Sequence, residues 1–251
     1  MEAKRVISRL DVKGNRLIKG IHLEGWRFLG DPNEFCSKYY QQGVDEIIYV
    51  DAVASLYGRD SIKDIIRKTT ENVFVPITVG GGIRTLEDAT EILRSGADKV
   101  AINSAAVLRP KLISEIADRF GKQCMVLSIQ AKLKHGKWFV AYDSAREYTD
   151  IEVGDWATKA AELGAGEILL TSVDQEGTQK GFDNGLIQTV SNLVSVPVIA
   201  CGGFGRSNHF SDAIESGADA VAVAHALHYN KISVADIKEE AKNKLIPVRP
   251  I

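Results

Sequence analysis

The sequence predicts a (β/α)8 TIM barrel, an α/β fold in which eight parallel strands alternate with helices. We expect one such domain over residues 1–251. Two observations carry this prediction. Eight short apolar runs alternate with helical patterns along the chain, and the second half of the chain repeats part of the first half. A length of 251 residues also suits eight βα units of ordinary size.

The eight predicted strands are nearly continuous apolar runs rich in β-branched residues. This composition is typical of strands buried on both faces of a parallel sheet. We expect the fifth strand to end at Gln130, where a basic, polar stretch begins. In chain order the runs are "KRVISRLDV", "EIIYVDA", "PITVG", "KVAIN", "CMVLSIQ", "EILLTSV", "PVIAC" and "AVAVA".

The helical patterns between these runs have clear boundaries. Thr85 and Asp88 are spaced as in a capping box at the start of "TLEDATEILRSGAD", and Gly96 is placed to end that helix. The pattern "LISEIADRFG" ends in the same way at Gly121. Alternating strands and helices of this length predict βα units.

An internal repeat indicates that the barrel consists of two related half-barrels. Residues 75–101 align without gaps onto residues 196–222, with an offset of 121 and ten identical positions out of 27. The same offset pairs Glu46 with Glu167. A shared offset over separate segments indicates duplication. The match weakens at the first strand of each half, where Asp11 and Gln130 are 119 residues apart.

Two connections are longer than the others and occupy equivalent positions in the two halves. They cover residues 12–30, after the first strand, and about 131–151, after the fifth. Long loops in a compact domain are usually lids or binding loops. Both follow strand C-termini, so we expect them at the barrel face where active sites lie.

Composition excludes several classes of function. The net charge of −2 predicts no nucleic-acid partner and no membrane surface, and there is no run of 18 apolar residues. The charged N-terminal segment is unlike a signal peptide. Cys36, Cys124 and Cys201 fit reduced thiols of a cytoplasmic protein. His225 and His228 lack a third ligand, so we expect no metal and no cofactor.

Two glycine-rich strand ends are candidate phosphate sites. "GGGIR" follows the third strand and "CGGFG" the seventh, while "AINS" and "VAHA" end the fourth and eighth. Glycines allow backbone N–H groups to approach an anion, and the seventh and eighth strands commonly hold phosphate in such barrels. The alternatives are tight turns or a ligand with a phosphate at each end. The candidate residues in these segments are Gly81, Gly82, Asn103, Ser104, Gly202, Gly203, Ala224 and His225.

A row of polar residues falls at or just after the predicted strand C-termini. Each could be a helix cap or a solvated loop residue, but their convergence on one barrel mouth favours catalysis. The row consists of Asp11, Lys19, Asp51, Asn103, Gln130, Thr171, Ser172, Asp174 and Glu176.

Four charged residues fall at the opposite ends of the strands. Arg5, Glu46, Lys99 and Glu167 supply two bases and two acids, which could close a charge ring. Charges at this face usually serve stability, and the pattern alone favours that interpretation.

Taken in order, several motifs resemble one family over nearly the whole chain. The chain resembles the cyclase subunit of imidazole glycerol phosphate synthase, an enzyme of histidine biosynthesis. The motifs that carry the resemblance are "LDVK", "IKG", "GDP", "TVGGGIR", "GADKVAINSAAV", "GAGEILLTSVDQEGTQKG" and "PVIACGG".

This resemblance implies a partner and a reaction. The family receives ammonia from a glutaminase subunit docked on the N-terminal barrel face and passes it through the barrel. It acts on a bis-phosphorylated ribulosyl aminoimidazole carboxamide, makes imidazole glycerol phosphate and releases an aminoimidazole carboxamide ribotide. The resemblance identifies Arg5, Glu46, Lys99 and Glu167 as the ammonia gate. Asp98 matches a residue of the partner interface, although its duplicate Asp219 points to a structural role as well.

The resemblance also assigns the catalytic positions and shows where the chain departs from the family. Asp11 matches the essential aspartate and Lys19 the loop lysine, with Thr171 and Glu176 beside them; Gly177 joins the phosphate set. Gln130 replaces the second catalytic aspartate, and a carboxamide cannot transfer protons at ordinary pH. The other departures are "SRLD" for "PCLD", Glu176 for aspartate, His225 for a small hydroxyl residue, "LYGRD" at residues 56–60 for a "HEGRE"-like stretch, and Trp26.

Three hypotheses follow. The first is a cyclase in which Asp11 does the acid–base work and Gln130 orients the substrate. The second is a paralogue that supplies ammonia for nucleotide-sugar amidination in surface-polysaccharide (lipopolysaccharide) biosynthesis. The third is a non-catalytic barrel that activates a glutaminase. The sister isomerase of the histidine pathway is disfavoured, because the gate residues fit an ammonia channel.

Overall fold

Eight parallel strands form a closed barrel, which confirms the predicted fold class. The structure is a computed structural model that describes residues 3–53 and 60–251. Around the barrel the strand order is β1, β4, β5, β6, β7, β10, β11, β12, and β12 pairs with β1 to close it. The strands are β1 (Arg5–Lys13), β2 (Arg16–Ile21), β3 (Glu24–Gly30), β4 (Glu46–Asp51), β5 (Ile77–Gly80), β6 (Lys99–Ile102), β7 (Met125–Lys134), β8 (Lys137–Tyr142), β9 (Glu147–Glu152), β10 (Glu167–Ser172), β11 (Val198–Cys201) and β12 (Ala220–Val223).

Helices pack around the outside of this barrel. The predicted capping box of Thr85 and Asp88 is present at the start of its helix, and Gly96 follows that helix with φ of 114°. The described helices are α1 (Pro32–Gln41), α2 (Asp60–Thr70), α3 (Leu86–Arg94), α4 (Ser104–Leu108), α5 (Lys111–Phe120), α6 (Val153–Glu162), α7 (Asn184–Ser191), α8 (Asn208–Glu215), α9 (His225–His228) and α10 (Val234–Asn243). Among them, none is both long enough and apolar enough to cross a membrane.

The two long connections are β-hairpins, and the expectation that the fifth barrel strand ends at Gln130 was wrong. β2 and β3 extend antiparallel from the end of β1, and β8 and β9 extend in the same way from β7. β7 therefore runs four residues beyond Gln130, to Lys134. The reason lies in the turn at His135 and Gly136, whose φ values of 50° and 80° suit a two-residue hairpin. The signals that could have predicted it are "KGNR" and "KHGK" between alternating sequences.

The hydrophobic core has two layers, one between barrel and helices and one inside the barrel. The inner cluster is small and comes from alternate, inward-facing positions of the strands. It lies between the two ends of the barrel and separates the charges at one end from the polar cavity at the other. Its buried members are Ile7, Ile48, Ala101, Val126, Leu169, Ile199, Cys201, Ala220 and Ala222.

Aspartates at strand N-termini join neighbouring strands and show the twofold repeat in local detail. Asp98 and its duplicate Asp219 each accept a hydrogen bond through Oδ2 from the backbone N–H at the start of the adjacent strand. The acceptor distances are 2.8 Å to Ile77 N and 3.0 Å to Val198 N. The structural role that the repeat suggested for Asp98 is therefore present.

Candidate functional site

A cavity of about 620 Å³ opens at the C-terminal end of the barrel. Asp11 and Gln130 both line it, as expected for equivalent strand ends of the two halves. The two hairpins form part of its wall, because Lys19 and Trp26 come from the first and Tyr142 from the second. The cavity therefore gathers polar groups from both halves of the chain under two extended hairpins.

Four buried charged side chains meet at one side of this mouth. Arg9 Nε donates to Asp11 Oδ1 at 2.9 Å, and Lys19 Nζ lies 3.8 Å from Asp11 Oδ2. Lys19 also donates to Glu176. All four side chains are buried, so the two carboxylates and two cations neutralise each other out of bulk water.

These charges set the ionisation of Asp11. Burial by itself would raise the pKa of the Asp11 carboxyl, but the positive charges of Arg9 and Lys19 outweigh burial and hold that pKa below its ordinary value. Burial also opposes the charge on Lys19, yet Glu176 and Asp11 raise its pKa. Asp11 is thus an ionised hydrogen-bond acceptor near neutral pH.

Arg9 is the site residue that sequence reasoning missed as a functional group. It appeared there as part of the departure "SRLD", with no role. The pattern that could have identified it is the alternation of side chains along β1. This alternation places Arg5, Ile7, Arg9 and Asp11 on the inward face. Arg9 Nη1 reaches across to Thr171 Oγ1 at 3.3 Å and Cys201 Sγ at 3.2 Å.

Gln130 is engaged with the second hairpin. Its Oε1 accepts a hydrogen bond from the backbone N–H of Ala145 at 2.7 Å. Ala145 lies in the turn between β8 and β9, where Asp143, Ser144 and Ala145 all have positive φ, between 52° and 61°. Such backbone is unfavourable for residues other than glycine, by roughly 1–2 kcal/mol each, so the amide of Gln130 compensates part of this strain.

The first predicted anion site opens onto the cavity. Gly81, Gly82, Asn103 and Ser104 all line it. Asn103 Nδ2 donates to the backbone oxygens of Ser128 at 3.0 Å and Ala141 at 3.2 Å, in β7 and β8. Ser104 Oγ accepts from the backbone N–H of Asp143 at 2.9 Å. The second hairpin therefore contacts two residues of this candidate anion site as well as Gln130.

The second predicted anion site does not line this cavity. The same mouth was expected to bring its members together with the first site. Instead, Gly177 lies within the segment that follows β10, and Gly203 and His225 contact other residues of that segment. The backbone N–H of Gly181 in that segment donates to Gly203 O at 2.9 Å, and Gln179 Nε2 lies 3.1 Å from His225 Nε2. Burial lowers the pKa of His225, with Lys19 and Lys231 adding to the effect. The residues concerned are Gly177, Gly202, Gly203, Ala224 and His225.

The opposite end of the barrel carries a closed ring of charges. Arg5 donates to Glu46 at 2.8 Å and also to Glu167. Lys99 Nζ lies 3.1 Å from Glu46 Oε2 and 2.8 Å from Glu167 Oε2. Each base thus bridges both acids, which closes the charge ring. Asp98, beside Lys99, lies exposed at the same end.

Within the described ranges, no three metal-ligating side chains are placed to hold an ion. His228 is buried, with its Nδ1 2.7 Å from the Tyr39 hydroxyl, and burial lowers its pKa to about 3. Residues 56–59 of the "LYGRD" departure lie outside the part of the chain that the structure describes.

The fold and the cavity define a (β/α)8-barrel protein with a buried carboxylate and a candidate anion site at the C-terminal face and a charge ring at the other. The chain belongs to the histidine biosynthesis protein family, whose sequence model matches residues 5–233.

Three curated relatives illustrate the likeness, and each is named imidazole glycerol phosphate synthase subunit HisF. The protein of Legionella pneumophila is 59% identical over 212 residues, which are 84% of this chain and all of the relative. The Bifidobacterium adolescentis protein is 46% identical over 96% of both chains. The Streptomyces coelicolor protein is 46% identical over 98% of this chain and 99% of its own length.

Proposed function

We propose that this chain is the ammonia-receiving cyclase subunit of an imidazole glycerol phosphate synthase. The observation that carries the proposal is that an ionised Asp11 faces the same cavity as the open anion site of Gly81, Gly82, Asn103 and Ser104. This arrangement suits a phosphorylated substrate whose reacting part lies over the carboxylate. The names of the relatives support the same activity.

Each polar group has a proposed role. Asp11 accepts a proton or a hydrogen bond from the reacting nitrogen. Lys19, paired with Asp11 and Glu176, supplies a cation beside the carboxylate at the cavity wall. Thr171 and Gln130 orient the substrate on the cavity floor. One phosphate binds at the first candidate anion site, and the other at the second, which consists of Gly177, Gly202, Gly203, Ala224 and His225.

The N-terminal barrel face is the proposed docking site of a glutaminase subunit, in a cytoplasmic heterodimer. The ring of Arg5, Glu46, Lys99 and Glu167 then serves as the gate for ammonia. Above the ring lies the apolar inner cluster, which suits the passage of a small neutral molecule better than that of an ion. Asp98, exposed beside Lys99, would contribute to the interface.

A second candidate function is favoured by two residues of the cavity, Gln130 and Arg9. Gln130 supplies no titratable group, and Arg9 brings a guanidinium to the cavity floor. Both changes fit a paralogue whose product is not imidazole glycerol phosphate and which delivers ammonia towards nucleotide-sugar amidination. A barrel that only activates its glutaminase is the third outcome.

The test is turnover of the bis-phosphorylated formimino-carboxamide ribulotide with saturating ammonia and no partner present. Turnover that disappears in Asp11→Asn, with the variant shown to be folded, supports the cyclase. Tight binding of the substrate without turnover contradicts it and favours a barrel that has lost the chemistry. Absence of both binding and turnover favours the amidination paralogue.

A further inference from the structure

Arg9 is a buried cation on the inward face of β1, with 5% of its surface exposed. A charged side chain in this environment is costly unless oppositely charged and polar groups surround it. Burial opposes the charge on Arg9, but the neighbouring Asp11 outweighs it, and the pKa of Arg9 lies well above its ordinary value. The guanidinium therefore stays charged inside the barrel.

The contacts of Arg9 fix its orientation across the barrel. Nε donates to Asp11 Oδ1 at 2.9 Å, on its own strand. Nη1 donates to Thr171 on β10 and to Cys201 on β11, so the planar group is held from three strands. A guanidinium fixed at several nitrogen atoms positions its carboxylate partner more strictly than a single point charge would.

Asp11 depends on Arg9 more than on Lys19. The carboxylate lies 2.9 Å from Arg9 Nε, whereas Lys19 Nζ is 3.8 Å from its other oxygen and donates directly to Glu176. Other titratable groups also act on this pair: His228 at α9 acts electrostatically on Asp11, and Cys201 and Glu176 act on Arg9.

We propose that Arg9 is a positioning residue that holds Asp11 as an oriented, ionised carboxylate. In that state Asp11 accepts a hydrogen bond or a proton and does not donate one. The ligand atom that meets Asp11 is therefore a donor, such as ammonia or the N–H of an amine. This role of Asp11 at the ligand rests on the proposed function, whereas the ionisation of Asp11 by Arg9 does not.

The experiment is a titration of the Asp11 carboxyl carbon by ¹³C NMR in the ligand-free protein. Asp11→Asn identifies the resonance by its loss. In Arg9→Gln we expect the titration midpoint of Asp11 to rise by about one pH unit or more, because a cation in contact is removed while burial remains. Arg9→Lys keeps the charge and should restore most of the downward shift.

Lys132→Gln is the matched control. It removes a cation at the same end of the barrel, but this cation pairs with Asp174 and not with Asp11. It should leave the Asp11 midpoint unchanged. An unchanged midpoint in Arg9→Gln overturns the proposal. If Arg9→Gln does not fold, the wild-type titration decides, and an Asp11 midpoint at or above that of ordinary aspartate overturns it.

Turnover separates this proposal from the proposed function. If the Asp11 midpoint rises in Arg9→Gln but the wild-type protein shows no turnover, the cyclase activity is refuted. The positioning role of Arg9 is then still supported. Where turnover is present, the apparent pKa of the acid limb of the kcat/KM–pH profile should rise in Arg9→Gln. In Arg9→Lys it should return towards the wild-type value. A purely structural role of Arg9 would lower activity without moving that limb.

Discussion

The side-chain oxygen of Gln130 accepts a hydrogen bond from the backbone N–H of Ala145, at 2.7 Å. Gln130 therefore holds the turn of the second hairpin over the cavity. Ser104 binds the same turn through Asp143 N. A group expected to work on the substrate is thus occupied with the wall of its own site.

Replacing Gln130 tests whether this residue acts on the substrate or holds the turn of the second hairpin. Gln130→Asp introduces a proton-transfer group, and we expect ammonia-dependent turnover to rise about 10-fold or more. Gln130→Asn is the matched control, because it is equally short and cannot titrate. Steady-state turnover with saturating ammonia is the measurement. A gain in both variants would show that release of the turn matters and the carboxylate does not.

The same two variants should loosen the turn between β8 and β9. Both side chains are one methylene shorter than glutamine and lose the bond to Ala145. We expect faster cleavage by trypsin after Arg146, which lies exposed next to Ala145. Equal cleavage rates in wild type and both variants would show that Gln130 does not hold the turn.

The charge ring at the N-terminal face should matter for glutamine-derived ammonia. Lys99→Ala removes the base that bridges Glu46 and Glu167. With a glutaminase partner, we expect glutamine-dependent turnover to fall by more than turnover from free ammonia. Lys63→Ala, in a surface pair with Glu91, is a control that should alter neither. Equal losses in both assays would refute the gate.

Asp98 and Asp219 allow stability to be separated from partner binding. Each accepts a backbone hydrogen bond at the start of a strand, so Asp98→Ala and Asp219→Ala should each lower the free energy of unfolding by about 1–2 kcal/mol. Urea denaturation gives that loss. If Asp98 also serves the interface, Asp98→Ala should weaken glutaminase binding more than Asp219→Ala does. If the two variants bind the glutaminase equally well, the role of Asp98 is structural.

His228 should make stability pH-dependent. Its pKa in the folded chain is about 3, against 6.5 when unfolded, so the unfolded state binds more protons between these values. Stability from the neutral imidazole is complete above pH 6.5 and falls below it, by up to about 1.4 kcal/mol per pH unit. Asp11, whose pKa is lowered from 3.8, loses its contribution to stability only as the pH falls below about 3.8.

Urea unfolding at several pH values between 4.5 and 7.5 measures this dependence. We expect His228→Phe to be less stable than wild type at pH 7 but flatter in its pH profile. His135→Asn, at an exposed turn residue, should keep the wild-type slope. An unchanged slope in His228→Phe would show that another group carries the pH dependence.

The sequence by itself determined the barrel, its strands and the twofold repeat. The strands and helices depend on local signals, namely β-branched runs, a capping box and glycines after helices, whereas the repeat rests on the shared offset of 121 residues. It also placed Asp11, Gln130 and the first glycine-rich end at one mouth, because the C-termini of parallel strands share one face. The ring of Arg5, Glu46, Lys99 and Glu167 followed from the same rule.

Only the tertiary structure decided the hydrogen-bond and packing partners of these side chains. Pattern could not show that Arg9 crosses the barrel to Thr171 and Cys201, since those contacts join strands far apart in sequence. Nor could it show that Gln130 binds a turn 15 residues away, or that the second glycine-rich end is packed beneath the segment after β10. Strand order follows from local periodicity, whereas the pairing of buried polar groups depends on distances that exist only once the barrel has closed.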